Sequence, residues 1–381
     1  MSIVLCDIME TKIVKLDEAQ DNSEVIKEAA GIIDSGGLVA FPTETVYGIA
    51  CRVTRDSLEK LDNVKGRPPD KSYTLHIAKS SDALMYVPTM GLNARKLIQN
   101  AWPGPLTVVF ELEQSDIEKQ KKNLDIEIFE ALYHENSIGI RCPDNEIAQA
   151  LIKETIHPIV APSANITDQS PATDAEQVIT QLSGKIDLLL DAGPTKYKKS
   201  STVAKIGKKG LEILRHGIYS QVELEVLSQV NFLFVCTGNT CRSPMAEGIF
   251  KKYLAEKLQC KVDELEKVGY KVSSAGVIGA AGFPASDEAV KACAVLGVDI
   301  GAHRNQALSK ELIEKSDFIF AMEKLHWDRI VSLDPGSANR CMLLAGNKEI
   351  PDPIGHPQKY YDNCAKLITK AVKERISEFV I

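Results

Sequence analysis

One short stretch constrains this chain more than any other: Cys236-Thr237-Gly238-Asn239-Thr240-Cys241-Arg242-Ser243-Pro244. An apolar run, Phe232–Val235, precedes it, and a segment carrying Ala246, Ile249, Phe250 and Leu254 on one helical face follows. A buried strand must therefore pass into a helix through a tight loop. Ser243 suits the N-cap of that helix and Pro244 its first turn. Five residues between Cys and Arg are enough to curl the backbone around one tetrahedral anion. Their N–H groups then point inward, reinforced by the helix N-terminus. Gly238 and Asn239 are residue types that tolerate the positive φ such a curl demands. The chemistry that fits is nucleophilic attack on phosphorus. Inward dipoles and Arg242 are expected to depress the Cys236 thiol towards thiolate, and the Arg242 guanidinium offers a planar fork for two phosphate oxygens. Asp352, in Pro351-Asp352-Pro353, is the candidate acid for the leaving group. A Cys and an Arg at this spacing arise readily by chance. Chance does not also supply the strand, the Gly-Asn pair, the Ser-Pro helix start and a downstream Asp-Pro.

With 381 residues the chain exceeds one ordinary domain. We place domains at 12–218 and 230–381, with 219–229, helical in period and free of catalytic residue types, as the linker. From residue 231 onward 20 Lys and Arg face 19 Asp and Glu, so the net charge of −7 resides in the first 230 residues, at −8. An acidic domain argues against non-specific nucleic-acid binding. The start, MSIVLCDIMETKIVKL, has no basic leader, and no run of 18 apolar residues occurs. Cytoplasm, with reduced thiols and no membrane partner, is the expectation.

Strand-like runs alternate with helical periods throughout, the rhythm of an α/β fold. In the first domain a helix is expected over Glu24–Ile33, ended by Gly36-Gly37. Strands are expected at Leu38–Phe41, Thr74–Ile77, Leu106–Glu111, Ile138–Arg141, Ile159–Ala161, Leu188–Leu190, Ser201–Ile206 and Leu211–Leu214. Some have no helix between them, so the sheet should be mixed. Thr195–Ser200 (TKYKKS) reads as a mobile loop. The second domain should be a doubly wound, parallel four-stranded sheet from Phe232–Val235, Tyr270–Ser273, Phe318–Ala321 and Cys341–Leu344, closed by a helix over Gln358–Phe379.

No Walker loop, GxGxxG, HExxH or CxxC occurs in residues 1–220. Polar residues instead gather at strand ends: Thr43-Glu44-Thr45, Lys65-Gly66-Arg67, Thr107, Arg141, Ser163-Ala164-Asn165, Ser201-Thr202 and Arg215. Ligands of open α/β sheets bind beyond strand ends, and converging Arg and Lys suit a polyanion such as a nucleoside triphosphate. Singly, each has a bland reading: Arg141 as an ion pair, Ser163 to Asn165 as a turn, His76 as a satisfied core histidine.

The second domain resembles the low-molecular-weight protein tyrosine phosphatases. VCTGNTCRSP matches their loop, Ser273-Ser274-Ala275-Gly276 their next strand end, and Asp352-Pro353 their acid. The resemblance implies a phosphocysteine at Cys236, support of the thiolate by Ser243, loop shaping by Asn239, and no cofactor. Phosphotyrosine-specific members carry aromatic residues after Asp-Pro, where Ile354-Gly355 stand here. Members acting on phosphoarginine are closer, with a Thr where Thr240 stands, and we favour that substrate over phosphotyrosine. Arsenate reductases share the loop but use two further closely spaced cysteines; Cys260, Cys293, Cys341 and Cys364 form no close pair. Cys241 is either an oxidative partner of Cys236 or a passive loop residue.

The first domain resembles the YrdC-like threonylcarbamoyl-AMP synthases, through FPTETVYG, KGRP, WPGPLT, the Arg141 segment, APSAN and STV…LRHG in family order. Such enzymes combine L-threonine, bicarbonate and ATP into threonylcarbamoyl-AMP and pyrophosphate; other proteins pass the threonylcarbamoyl group to tRNA. The resemblance implies ATP binding by Lys65, Arg67, Lys71, Thr107, Ser163, Asn165 and Arg215, with a magnesium ion on the phosphates. It implies threonine binding by Thr43 or Thr45, His76, Arg141 and Ser201. Larger members carry a different C-terminal extension, whose place a phosphatase-like segment takes here. Two readings follow: a fused bifunctional enzyme, or a phosphatase whose first domain grips a nucleotide or RNA without turnover.

Overall fold

The computed structural model describes residues 10–17, 20–68, 72–279 and 281–379. Contacts along the chain divide it into two units, residues up to 90 with 97–227, and 91–96 with 228–381. Among the described residues no helix is long and apolar enough to cross a membrane.

Among the described residues the first unit holds an 11-stranded mixed sheet. Its strands are β1 (Lys12–Lys15), β2 (Val39–Phe41), β3 (Gly48–Arg52), β4 (Thr74–His76), β5 (Leu106–Glu111), β6 (Tyr133–His134), β7 (Ser137–Arg141), β8 (Ile159–Val160), β9 (Leu188–Asp191), β10 (Thr202–Gly207) and β11 (Gly210–Arg215). The spatial order is β1-β9-β2-β3-β8-β4-β7-β5-β10-β11, with β6 on β7. All eight expected strands form, and the expected helix spans Ser23–Asp34. Three strands escaped the sequence reading. β1 is a polar, mostly exposed edge, β6 has two residues, and β3 is a short buried run without a period.

Register is what builds a site here. His76 on β4 pairs with Arg141 on β7, Arg141 with Thr107 on β5, Thr107 with Val203 on β10, and Val203 with Arg215 on β11. Paired residues share a sheet face, so one row across five strands carries a histidine, two arginines and a threonine to one end of the sheet. The TKYKKS segment has no regular structure, yet its first half is tied down. Thr195 donates through N–H to Thr173 O (2.8 Å) and Tyr197 N–H to Glu44 O (2.9 Å), and the Thr195 hydroxyl donates to Thr45 O (2.8 Å).

The segment expected as the linker contains a helix, Gln221–Ser228, whose residues up to 227 group with the first unit. The second unit has four strands, β12 (Val230–Cys236), β13 (Tyr270–Gly276), β14 (Phe318–Ala321) and β15 (Cys341–Leu343), in the order β13-β12-β14-β15 and parallel throughout. Alternate residues of β12 fill two separate cores. Phe232 and Phe234 pack with Ala246 and Phe250 of the helix Arg242–Leu258. Leu233 and Val235 join Ile313, Ile319 and Ile330 on the opposite face. That is the doubly wound arrangement. The strand order reverses at β12, and the crevice beyond its carboxyl end is where such folds bind ligands. Cys236 is the last residue of β12.

Candidate active sites

In the second unit the loop after β12 closes on itself around Cys236. Asn239 is fully buried with φ 54°, the left-handed conformation its residue type tolerates. Its N–H donates to Cys236 Sγ (3.3 Å), and its amide donates to Ser243 Oγ and Ser274 Oγ (2.8 Å each). Gln306 N–H donates to Asn239 Oδ1 (2.9 Å). The strand end SSAG serves this loop directly. A Cβ on Gly276 would lie 2.9 Å from Gly238 C and Thr237 O, so only glycine allows the loop to rest there. The helix starts one residue before the expected N-cap, with Cys241 at the cap position. Ser243 therefore turns its hydroxyl to Cys236 Sγ (3.0 Å) instead of capping the helix.

Arg242 is 1% exposed. It donates to Ile350 O (3.1 Å) and Thr237 Oγ1 (2.9 Å), and pairs with Glu323 (2.8 Å) and Asp352 (2.5 Å). The candidate acid thus sits on the loop arginine. Glu323 went unnoticed in the sequence, as did His326 beside it; both follow the carboxyl end of β14, which the strand-end rule could have flagged. The thiol also departs from expectation. Burial pushes Cys236 up from its ordinary value, against hydrogen bonds from Ser243 and Asn239 and the charge of Arg242. That charge is shared with two carboxylates, so burial prevails. Cys241 is buried, its sulfur near Ser286 Oγ (3.4 Å) and Tyr361 OH (3.9 Å). Thr240, at the loop tip, offers its carbonyl to Ser286 N–H (2.9 Å).

In the first unit one cavity is bordered by Lys65, Arg67, Thr107, Ser163, Asn165 and Arg215, and equally by His76, Arg141 and Ser201. Lys71 lies outside the described residues. Thr43 and Thr45 stand behind the wall, where with Glu44 they grip Arg141. Its Nη2 donates to Thr45 Oγ1 (2.6 Å), Glu44 Oε1 (2.9 Å) and Thr43 Oγ1 (3.4 Å). Glu44, buried and unforeseen, is the residue that neutralises Arg141. Among the described residues the Arg141 Nε has no hydrogen-bond partner, nor has His76 Nε2. His76 Nδ1 lies 3.2 Å from the Thr74 carbonyl, which can only accept. Nδ1 therefore carries the proton and Nε2 a lone pair. Burial and Arg141 push His76 down to about 3, so it is neutral at physiological pH.

Lys65 Nζ donates to Ser163 O and Asn165 O (2.5 Å each), pinning the S-x-N loop. Asn165 in turn holds Ile166 O and Gln169 O (2.7 and 2.8 Å). The Thr107 and Ser201 hydroxyls meet at 3.2 Å. Arg215 donates to Ser201 O (3.0 Å) and Oγ (3.1 Å), its basicity lowered by burial and by Arg141. The LRHG glycine allows this: a Cβ on Gly217 would fall 2.2 Å from Thr202 N. Arg67 stacks over Tyr73, 4.0 Å from the ring centre. Among the described residues Asp168 is the carboxylate on the lining. Among the described residues no three Asp, Glu, His or Cys side chains gather to hold a metal. The described residues do not by themselves make a protein-built magnesium site.

Comparison with known proteins agrees with both descriptions. The Sua5/YciO/YrdC family model, described as telomere recombination, matches residues 31–217. That for low molecular weight phosphotyrosine protein phosphatase matches 231–379. The threonylcarbamoyl-AMP synthase of Pyrococcus abyssi is 30% identical over 280 residues, 69% of this chain and 78% of its own. This chain belongs to the threonylcarbamoyl-AMP synthase family. The synthase of Bacillus subtilis is 33% identical over 212 residues, 55% of this chain and 58% of its own. The P. abyssi Sua5 structure complexed with L-threonine superposes with a TM-score of 0.50 at 24% identity, over 70% of this chain and 92% of that one, and shares its fold. The synthase unit is thus fused to a unit of the low-molecular-weight phosphatase family.

Proposed function

We propose that the chain is a bifunctional enzyme of the cytoplasm. Its synthase unit makes threonylcarbamoyl-AMP and pyrophosphate from L-threonine, bicarbonate and ATP, feeding the machinery that modifies tRNA. Its phosphatase unit removes phosphate from phosphoarginine in proteins. The observation that carries the first half is the convergence of Lys65, Arg67, Arg141 and Arg215 with Ser163, Asn165 and Thr107 on one cavity. Four cations there suit a triphosphate and a carboxylate together. Among the described residues Arg141 Nε is an unpartnered donor, available to the threonine carboxylate, and His76 Nε2 an unpartnered acceptor, available to its hydroxyl or amine. The Pyrococcus relative has been solved with L-threonine. A carbamate formed on the threonine nitrogen attacks the α-phosphorus with its oxygen, and the bond to pyrophosphate breaks. Alignment and charge stabilisation by these side chains supply the catalysis. Magnesium would travel on the nucleotide phosphates, and no step is assigned to it.

In the phosphatase unit, the Cys236 proton passes to the Asp352 carboxylate as phosphate enters, the thiolate attacks phosphorus, the P–N bond breaks, and Asp352 delivers that proton to the departing nitrogen. Water then cleaves the phosphocysteine with Asp352 as base. Thr240 Oγ1 favours phosphoarginine, since a hydroxyl can hydrogen-bond a guanidino group. Exposed Ile354 follows Asp352-Pro353 where a phenyl ring would want an aromatic wall. Pyrophosphate release requiring both threonine and bicarbonate tests the synthase; well-folded protein that binds ATP without it would make this unit a binding module. Phosphoarginine and phosphotyrosine peptides, compared before and after Thr240→Ile, test the second substrate. An unchanged preference removes Thr240 from the argument, and a standing preference for phosphotyrosine replaces the substrate.

A further inference from the structure

His326 is fully buried two residues into the helix Lys324–Leu333, below the phosphatase loop. Both ring nitrogens are engaged. Glu323 N–H donates to Nδ1 (3.1 Å), so Nδ1 is the bare nitrogen and Nε2 carries the proton. Nε2 lies 2.9 Å from Thr237 Oγ1 and 3.7 Å from Glu323 Oε2. Thr237 Oγ1 also accepts from Arg242 Nη2 (2.9 Å). The consequence is a matter of counting. A hydroxyl has two lone pairs and one proton; His326 and Arg242 occupy both lone pairs. Its proton is then obliged to be donated to a third group.

We infer that His326 is a positioning residue: it fixes Thr237 as a hydrogen-bond donor towards the transferring phosphoryl group and steadies Arg242 from the same side. Burial and the charge of Arg242 hold the ring down at about 4, which keeps the single-proton form that the arrangement needs. A doubly protonated ring would oppose its Nδ1–H to the Glu323 N–H and set a cation beside Arg242. Glu323 closes the circuit, since its amide orients the ring and its carboxylate pairs with Arg242. The inference rests on the phosphatase reading of this unit and adds a residue to it that neither touches the phosphorus nor titrates near neutrality.

The test is a double-mutant cycle on full-length protein, reading kcat and KM for p-nitrophenyl phosphate and the affinity for vanadate. His326→Ala should lower kcat about tenfold, the loss of one oriented hydrogen bond. Thr237→Val should do at least as much. In the Thr237→Val background, His326→Ala should then cost less than about twofold, because its effect runs through that hydroxyl. His326→Gln, which can present one N–H, should recover part of the rate. Additive losses, with Gln no better than Ala, would reduce His326 to a core residue and overturn the inference. Nitrogen NMR of the intact wild type reads the ring without any turnover: a protonated Nε2 and bare Nδ1 from pH 6 to 8 are expected, and the opposite tautomer refutes the circuit even if the variants fold poorly. Failure of the phosphatase reading looks different, since wild-type protein would then hydrolyse nothing that depends on Cys236.

Discussion

Asp352→Asn should move two properties of the phosphatase unit in opposite directions. In the structure Asp352 lies 2.5 Å from Arg242, with 32% of its side chain exposed and 1% of the arginine's. A phosphate seeking the Arg242 fork must displace that carboxylate and tolerate its charge. Partly exposed pairs of this kind contribute about 1 kcal/mol. Asparagine keeps the shape and removes the charge, so inorganic phosphate or vanadate should bind about fivefold more tightly, by the same conversion that makes 1.4 kcal/mol a factor of ten. Turnover should fall at the same time. Loss of a general acid costs on the order of 10²–10⁴-fold where the leaving group is poor, and far less where it is p-nitrophenolate. The assay is competition by phosphate and vanadate, set beside kcat for p-nitrophenyl phosphate and for a phosphoarginine peptide. Weaker phosphate binding would refute the competition between Asp352 and ligand. A loss of rate independent of the leaving group would refute the acid assignment. Either result leaves the other testable.

Gly276→Ala should push the loop from its seat, costing about 1–3 kcal/mol; phosphate affinity should fall several-fold with little change in secondary structure by circular dichroism, and unaltered affinity would show that the loop has slack. Glu44→Gln removes the carboxylate that neutralises buried Arg141, so the melting temperature should fall, by the equivalent of about 3–5 kcal/mol for a broken buried pair. L-threonine should raise it more in this variant than in wild type, since its carboxylate restores the missing charge; an equal rise would remove Arg141 from threonine binding. Stability should decline as pH falls below about 6.5 and level off above it. His76 and His326 are held down at about 3 and about 4, so between those values and 6.5 the unfolded chain takes up protons that the folded chain refuses. A melting temperature that rises on acidification through this window would contradict both burials.

What the sequence made legible depended on how each site is built. The phosphatase loop is a local construction: strand, five-residue curl and helix start are contiguous, and Cys236, Asn239, Arg242 and Ser243 could be singled out by residue type. The synthase cavity depends on register. Nothing in the spacing of His76, Thr107, Arg141 and Arg215 says that β4, β7, β5, β10 and β11 lie side by side, and only the resemblance to a family joined them. Partners of the chosen residues were harder still. Glu44 sits in the middle of FPTETVYG and yet read as a strand-end polar residue with no assigned duty. Glu323 and His326 look like an ordinary helix start. Their roles depend on which arginine the fold brings within reach, information carried by tertiary pairing alone. The thiol of Cys236 misled for the same reason: its dipoles are local, but the burial that pushes it up is supplied by the packed fold around the loop.

Both candidate sites bury an arginine, and a buried guanidinium requires a carboxylate near it. The two solutions differ in where that carboxylate stands. Glu44 is 1% exposed and approaches Arg141 from behind the cavity wall, so a ligand can reach the unpartnered Nε without expelling it. If Arg141 holds the threonine carboxylate as proposed, it remains neutralised on one side throughout, which limits how tightly it can hold that group. Asp352 approaches Arg242 from a loop, a third exposed, and holds its Nη2; on the proposed reading ligand and carboxylate compete for that nitrogen. Glu323 remains as the permanent partner behind. On the reading proposed above, phosphate arriving at Arg242 displaces Asp352, and the freed carboxyl is the group that serves the leaving atom. The opposed effects expected of Asp352→Asn follow from that displacement, since removing the charge eases the exchange while removing the carboxyl takes away the proposed acid.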